Sequence, residues 1–148
     1  MNRQKTTLIT TEEAKRDWVI VDVKNQIVGR VATKIADLLR GKNRTTFTPN
    51  VDNGSFVVVI NSSQVRFTGD KMEKKKYHHH SGFPGGMKSI TAEKQLEKHP
   101  DRIIESAVWG MLPKNRLSRH LMRKLKIYSG SEHPHTAQQA TQVDLGSL

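Results

Sequence analysis

The chain contains no cysteine. Disulfides, thiolate metal sites and a cysteine nucleophile are therefore excluded. Aromatic residues make up only 5%, so large rings cannot dominate the core. No run approaches the ~18 consecutive apolar residues that a membrane-spanning helix needs. The opening stretch, residues 1–17, has Leu8 and Ile9 as its only apolar island and lacks the apolar core of a secretory signal. Its Glu12 and Glu13 also distinguish it from acid-poor transit peptides. The expected compartment is the cytoplasm. Acid is in short supply too, with 14 Asp and Glu against 25 Lys and Arg.

What is present is a surplus of positive charge. The net charge is +11, distributed as +5 over residues 1–50, +3 over 51–100 and +3 over 101–148. Such a surplus repels itself, and a polyanionic partner relieves the repulsion. Nucleic acid and an anionic membrane surface are the two candidates. The 148 residues correspond to one domain. A hydrophobic content of 34% implies a thin core beneath a large polar surface. The expected layout is a polar arm over 1–17, a single α/β domain over 18–130 and a C-terminal extension over 131–148.

Local patterns supply the elements. Trp18 to Val23 is a short apolar, β-branched run, the mark of a buried strand. Val28, Val31, Ile35, Leu38 and Leu39 then recur at helical spacing, with Gly41 where a left-handed cap belongs. Phe56 to Ile60 is a second strand whose continuous apolar pattern suits coverage on both faces. Val65–Phe67 and Lys75–His78 are weaker strand candidates, and a glycine-rich loop follows from Ser81 to Met87. Thr91–Lys98 is expected as a short helix. A second helix begins at Pro100, carries Ile103, Ile104, Ala107, Val108, Met111 and Leu112 on one face, and stops at Pro113. Leu117, Leu121 and Leu125 form a narrow stripe, and Leu125–Tyr128 is a last strand. The order strand, helix, strand, with continuous apolar strands, argues for a parallel sheet covered by helices.

Two clusters carry the chemistry. Between Trp109 and Tyr128 there are six Lys or Arg and no acid. On a helix Arg116, Arg119, His120 and Arg123 lie three, four and seven apart and share a face. A solvated helix face usually mixes signs for i,i+4 pairing, and this one does not. Arginine's planar fork suits phosphate oxygens. The second cluster is Lys71, Lys74, Lys75 and Lys76 followed by Tyr77 and His78-His79-His80. Bases followed by flat rings suit RNA, whose exposed bases stack and whose phosphates accept hydrogen bonds.

Three sharper readings are weaker. His78 and His80 share one face of a strand and His133 and His135 repeat the spacing, yet structural sites typically use cysteine and catalytic ones often add a carboxylate, so no metal is expected. Gly82 to Ser89 matches the phosphate-binding loop G-x-x-x-x-G-K-[ST] except that Met87 stands where the second glycine belongs. A nucleotide-dependent enzyme with Lys88 on phosphate is the alternative that this near miss leaves. A second alternative is a free-standing RNA-binding regulator. The first strand–helix turn has Gly29 alone, short of a dinucleotide fingerprint. Asp22 is expected to cap or to pair with Arg30 rather than to catalyse.

Longer motifs then converge on one family. Val108-Trp109-Gly110-Met111-Leu112-Pro113-Lys114, Arg123 to Gly130, and Glu132-His133-Pro134-His135 resemble the signature of bacterial-type large-subunit ribosomal protein family thirteen. Asp17-Trp18, Leu39-Arg40-Gly41-Lys42, Phe47-Thr48-Pro49, Val51-Asp52-Asn53-Gly54, Thr68-Gly69-Asp70-Lys71 and Tyr77-His78-His79 agree in order. The resemblance covers about residues 16–140. It implies a three-layer α/β/α fold with a four-stranded parallel sheet and a basic C-terminal helical and loop region. It also implies a non-catalytic, cytoplasmic component of the large ribosomal subunit, without cofactor, small-molecule substrate or membrane. The implied partners are the large-subunit (23S) rRNA and neighbouring large-subunit proteins, with a role early in subunit assembly. The candidate RNA-binding residues are Lys42, Arg44, Lys71, Lys74, Lys75, Lys76, His78, His79, Lys88, Lys114, Arg116, Arg119, Arg123, Lys124, Lys126, His133 and His135.

Overall fold

Five residues in the middle of the chain, Phe56–Ile60, form the strand around which everything else is arranged. In a computed structural model that describes residues 8–143, the side chains of Val57, Val58 and Val59 are completely buried. Residues 1–7 of the expected arm and 144–148 of the expected extension lie outside the described residues.

The elements follow in order as β1 (Trp18–Asp22), α1 (Val28–Arg40), β2 (Phe56–Ile60), α2 (Lys71–Lys74), β3 (Lys76–His80), β4 (Met87–Thr91), α3 (Ala92–Lys98), α4 (Pro100–Met111), α5 (Arg116–Arg123), β5 (Leu125–Ile127) and β6 (Thr141–Gln142). Four strands form one parallel sheet in the order β5-β2-β1-β6. With its helices the architecture is α/β, a three-layer α/β/α arrangement. The apolar stripe of α1 is buried as its spacing requires, with Val28, Val31, Ile35, Leu38 and Leu39 joined by Ala32 and Ala36. These residues pack with Val19, Val21, Val57 and Val59 of the sheet and with Ile103, Ile104 and Val108 of α4. Each fully buried branched side chain contributes about 1.5–3 kcal/mol.

Successive side chains of a strand point to opposite faces. Trp18 and Phe56 are register partners on the face away from Val19 and Val57, and their rings stack at 4.6 Å. His135 lies 5.0 Å from the Trp18 ring and meets the Tyr128 hydroxyl at 2.8 Å through Nε2. The C-terminal stretch is thereby held against the sheet, and its Thr141–Gln142 pairs with Val19 and Ile20 as the edge strand.

The end of α1 is fixed by close backbone approach. Gly41 adopts φ +76° and its N–H caps the carbonyls of Asp37 and Leu38. Gly54 sits so close to the last turn that a Cβ there would lie 1.8 Å from the Leu39 carbonyl oxygen. Asn53, beside it, is buried and donates from Nδ2 to the Thr46 hydroxyl at 2.9 Å.

Two strand expectations change. Val65–Phe67 is not a strand; it makes one isolated parallel bridge, Arg66 to Ile27. The Lys75–His78 candidate does form a strand, Lys76–His80, but it pairs antiparallel with β4 in a separate two-stranded ribbon. Neither β4 nor β6 is marked by an apolar run, which is why sequence pattern passes over both. Of the two roles expected of Asp22 the structure shows the cap, not a pair with Arg30. Its Oδ1 accepts from the Lys24 N–H and from Asn61 Nδ2, both at 2.9 Å, and so ties the end of β1 to the end of β2.

Candidate nucleic-acid interface

The β3–β4 ribbon stands outside the main sheet, and most of its side chains are exposed. Its strands place His79 opposite Lys88 and His78 opposite Ser89. The tip closes through hydrogen bonds from the Ser81 N–H to the Gly86 carbonyl and from the Gly86 N–H to the Phe83 carbonyl. Lys88 and Ser89 are thus strand residues, and the Ser81, Gly82 and Gly86 backbone donors are spent on the turn itself. A phosphate-binding loop needs a helix to begin at this point, so the geometry removes the nucleotide-loop reading. Phe83 is left 72% exposed at the tip.

Helix α5 is anchored locally. Asn115 caps it by accepting from the Ser118 N–H at 2.9 Å, and Leu121 is buried beneath it. Leu117 and Met122 pack partly on the core. Fixing that stripe turns Arg116, Arg119 and Arg123 outward, all exposed. Before this helix, Lys114 lies over the Trp109 ring, 4.4 Å from its centroid, and donates to the Trp109 carbonyl.

Ribbon and helix face one another across a groove of about 780 Å³. Tyr77, His78, His79 and Lys88 line it from the ribbon, and Arg119 and Met122 from α5. His99, Arg102, Ser106 and Trp109 line it from the start and outer face of α4, and Gln95 from α3. Glu105 is the single carboxylate in the lining. His99 and Arg102 escaped the sequence reading. The available signal was the helical spacing of Arg102, Ser106 and Trp109, the polar face of α4 opposite Ile103, Ile104 and Val108. Burial raises the Tyr77 phenol above its ordinary value, so it stays a neutral donor.

The other sequence-chosen bases fall into distinct places. Lys71 and Lys75 line a smaller hollow of about 420 Å³ together with Arg66 and the start of α1. Lys75 also sits 5.3 Å from the Tyr77 ring centroid, and Lys74 is paired with Asp70 at 2.6 Å on the surface. Lys76 is exposed at the start of β3. Lys42 pairs with Asp37 at 3.3 Å. Arg44 is engaged within the protein: it donates to Asp17 at 2.7 Å, to Ser55 at 3.1 Å and to the Lys15 carbonyl. Lys126 is half-buried beside Val58 in the sheet. His133 and His135 lie with Trp18 and Tyr128, away from the groove lining. Among the described residues no three His, Asp or Glu side chains converge as a metal site would require.

Lys124 needs correction. It is 4% exposed, and its Nζ donates to Asp52, to the Gly54 carbonyl at 3.0 Å and to the Leu39 carbonyl. An ammonium has three donors, and all three are used inside the protein. Burial lowers its pKa, while the Asp52 carboxylate works in the opposite direction. Lys124 therefore leaves the phosphate-facing set, although its neighbour Arg123 remains on the surface.

Comparison with known proteins adds an independent line. Residues 16–134 match the family model described as Ribosomal protein L13. The chain is 54% identical over 142 residues to a Geobacter sulfurreducens protein named large ribosomal subunit protein uL13, covering 95% of this chain and 99% of that one. The Pseudomonas aeruginosa protein of the same name is 55% identical over 141 residues, with the same coverage. That of Pelobacter propionicus is 55% identical over 135 residues, covering 91% of this chain and 95% of its own. Among the described residues no helix is long and apolar enough to cross a membrane.

Proposed function

The chain belongs to the ribosomal protein L13 family, and from that premise we propose that it binds large-subunit rRNA with the basic groove between the β3–β4 ribbon and α5. The family is a structural, non-enzymatic constituent of the large ribosomal subunit in the cytoplasm. The observation that carries the proposal is a groove lined by Lys88, Arg102, Arg119 and three histidines against a single carboxylate, with Arg116 and Arg123 exposed on the same helix as Arg119. Lysine, arginine and histidine on both walls neutralise phosphates of RNA segments that come together there, and the segments then pack without repelling. Recognition follows backbone position and shape more than base sequence. Neutralisation of this kind is most useful while the RNA is still folding, so the protein acts early in subunit assembly and also meets neighbouring large-subunit proteins.

Joint replacement of Arg116, Arg119 and Arg123 by Glu tests this. All three are exposed, so the variant keeps its fold by circular dichroism. In competition with wild type it is excluded from large subunits. Equal incorporation of the two forms would remove α5 from the RNA surface and overturn the proposal.

A further inference from the structure

We propose that the groove takes one or two unpaired nucleotides of RNA, with a base among its rings and the adjoining phosphates on its basic rim. The inference rests on the RNA-binding reading above and adds what kind of RNA enters. Phosphate neutralisation alone needs only a charged surface. This groove also gathers rings: Tyr77 and Trp109, two of the chain's eight Phe, Trp and Tyr residues, line it together with three of its seven histidines, His78, His79 and His99. They come from two separate elements, the ribbon and α4, so their meeting is a product of the fold. Three bases stand with them, Lys88, Arg102 and Arg119.

Rings and bases together match a nucleotide rather than a phosphate. In a duplex the faces of the bases are covered by their neighbours, and only the backbone and the groove edges are offered to a protein. An unpaired base offers its face, and every base has one, so stacking tolerates any sequence. The volume of about 780 Å³ lies within the range of sites that enclose compact organic ligands, roughly 300–1,000 Å³. Trp109 is half-buried and held in place by Lys114 at 4.4 Å, so the platform is ordered before RNA arrives. The neutral Tyr77 hydroxyl supplies a donor for a base edge or a ribose 2′-hydroxyl.

The indole itself is the probe. Trp18 lies stacked on Phe56 away from the groove lining, so Trp18→Phe leaves Trp109 as the sole indole, excited selectively at the red edge where the two tyrosines do not absorb. Titrating that protein with a short oligoadenylate should quench Trp109, and a blunt RNA duplex with the same number of phosphates should bind without quenching it. Trp109→Ala should weaken oligoadenylate binding by about 5- to 150-fold while the salt dependence keeps its slope, and Trp109→Phe should recover most of the loss. The quenching measurement alters no groove residue, so it decides even where Trp109→Ala is unstable. Salt-sensitive duplex binding with no oligoadenylate quenching would overturn this inference and leave the RNA-binding proposal standing. Failure to bind either RNA would overturn both.

Discussion

Lys124 and Asp52 are 72 residues apart and form a part-buried ion pair, with the Lys124 ammonium also hydrogen-bonded to the Leu39 and Gly54 carbonyls. One side chain thus joins three places: the end of α1, the loop before β2 and the junction of α5 with β5. Arg123, one residue earlier in the chain, is exposed. Two adjacent bases therefore have opposite duties, one inside the fold and one on its surface.

Stability separates them first. Lys124→Ala takes the ammonium away from a part-buried carboxylate and two carbonyls, and should cost about 3 kcal/mol in urea unfolding. Arg123→Ala should stay within about 0.5 kcal/mol of wild type. Equal losses at the two positions would mean that the Lys124–Asp52 pair does not hold the loop.

Salt dependence separates them again. If about six bases reach phosphates, log K for an rRNA fragment should fall against log salt with a slope of roughly −4 to −5. Arg123→Ala should reduce the magnitude by somewhat under one unit. Lys15→Ala, away from the groove, should leave the slope unchanged. A folded Lys124 variant should leave it unchanged too, because that ammonium never faces solvent. A wild-type slope near zero with tight binding would replace phosphate neutralisation by stacking as the main force.

Two glycines should respond to alanine in opposite directions. A Cβ at Gly54 would meet the Leu39 carbonyl oxygen at 1.8 Å, so Gly54→Ala must push the loop off α1 and should cost at least about 2 kcal/mol. A Cβ at Gly29, in the first turn of α1, would meet nothing within 4 Å. Gly29→Ala should therefore stabilise, by up to about 1 kcal/mol, through helix propensity. Thermal unfolding of the two variants measures both signs.

His135 should make stability depend weakly on pH. Desolvation first, then the His133 and Lys126 charges, lower its pKa in the folded protein. Protonation is thus easier in the unfolded chain, and the contribution of His135 is fully present above the unfolded value of about 6.5. It is lost as pH falls below that value through the lowered folded one. The urea midpoint should drop between about pH 7.5 and pH 5.5, and His135→Gln should flatten part of that drop. An unchanged profile in the variant would show that His135 does not anchor the C-terminal stretch through its neutral ring.

The sequence by itself determined what is local or additive. The charge of +11 and its spread pointed to a polyanion without any structure. The apolar runs at Trp18 and Phe56, the helical spacing from Val28 to Leu39 and the start at Pro100 fixed β1, β2, α1 and α4, because burial on one face imposes a period that residues cannot hide. The longer motifs identified the family. Tertiary structure alone decided which bases face outward. Lys124 and Arg123 carry the same charge, and only the turn from α5 into β5 sends one inward and the other out. It also supplied β6, whose two polar residues carry no pattern and pair only because His135 and its neighbours hold the C-terminal stretch against the sheet. The groove is its last contribution. Tyr77, Trp109 and Arg119 become neighbours only when the ribbon folds back over α4 and α5, a relation between distant segments that no local pattern encodes.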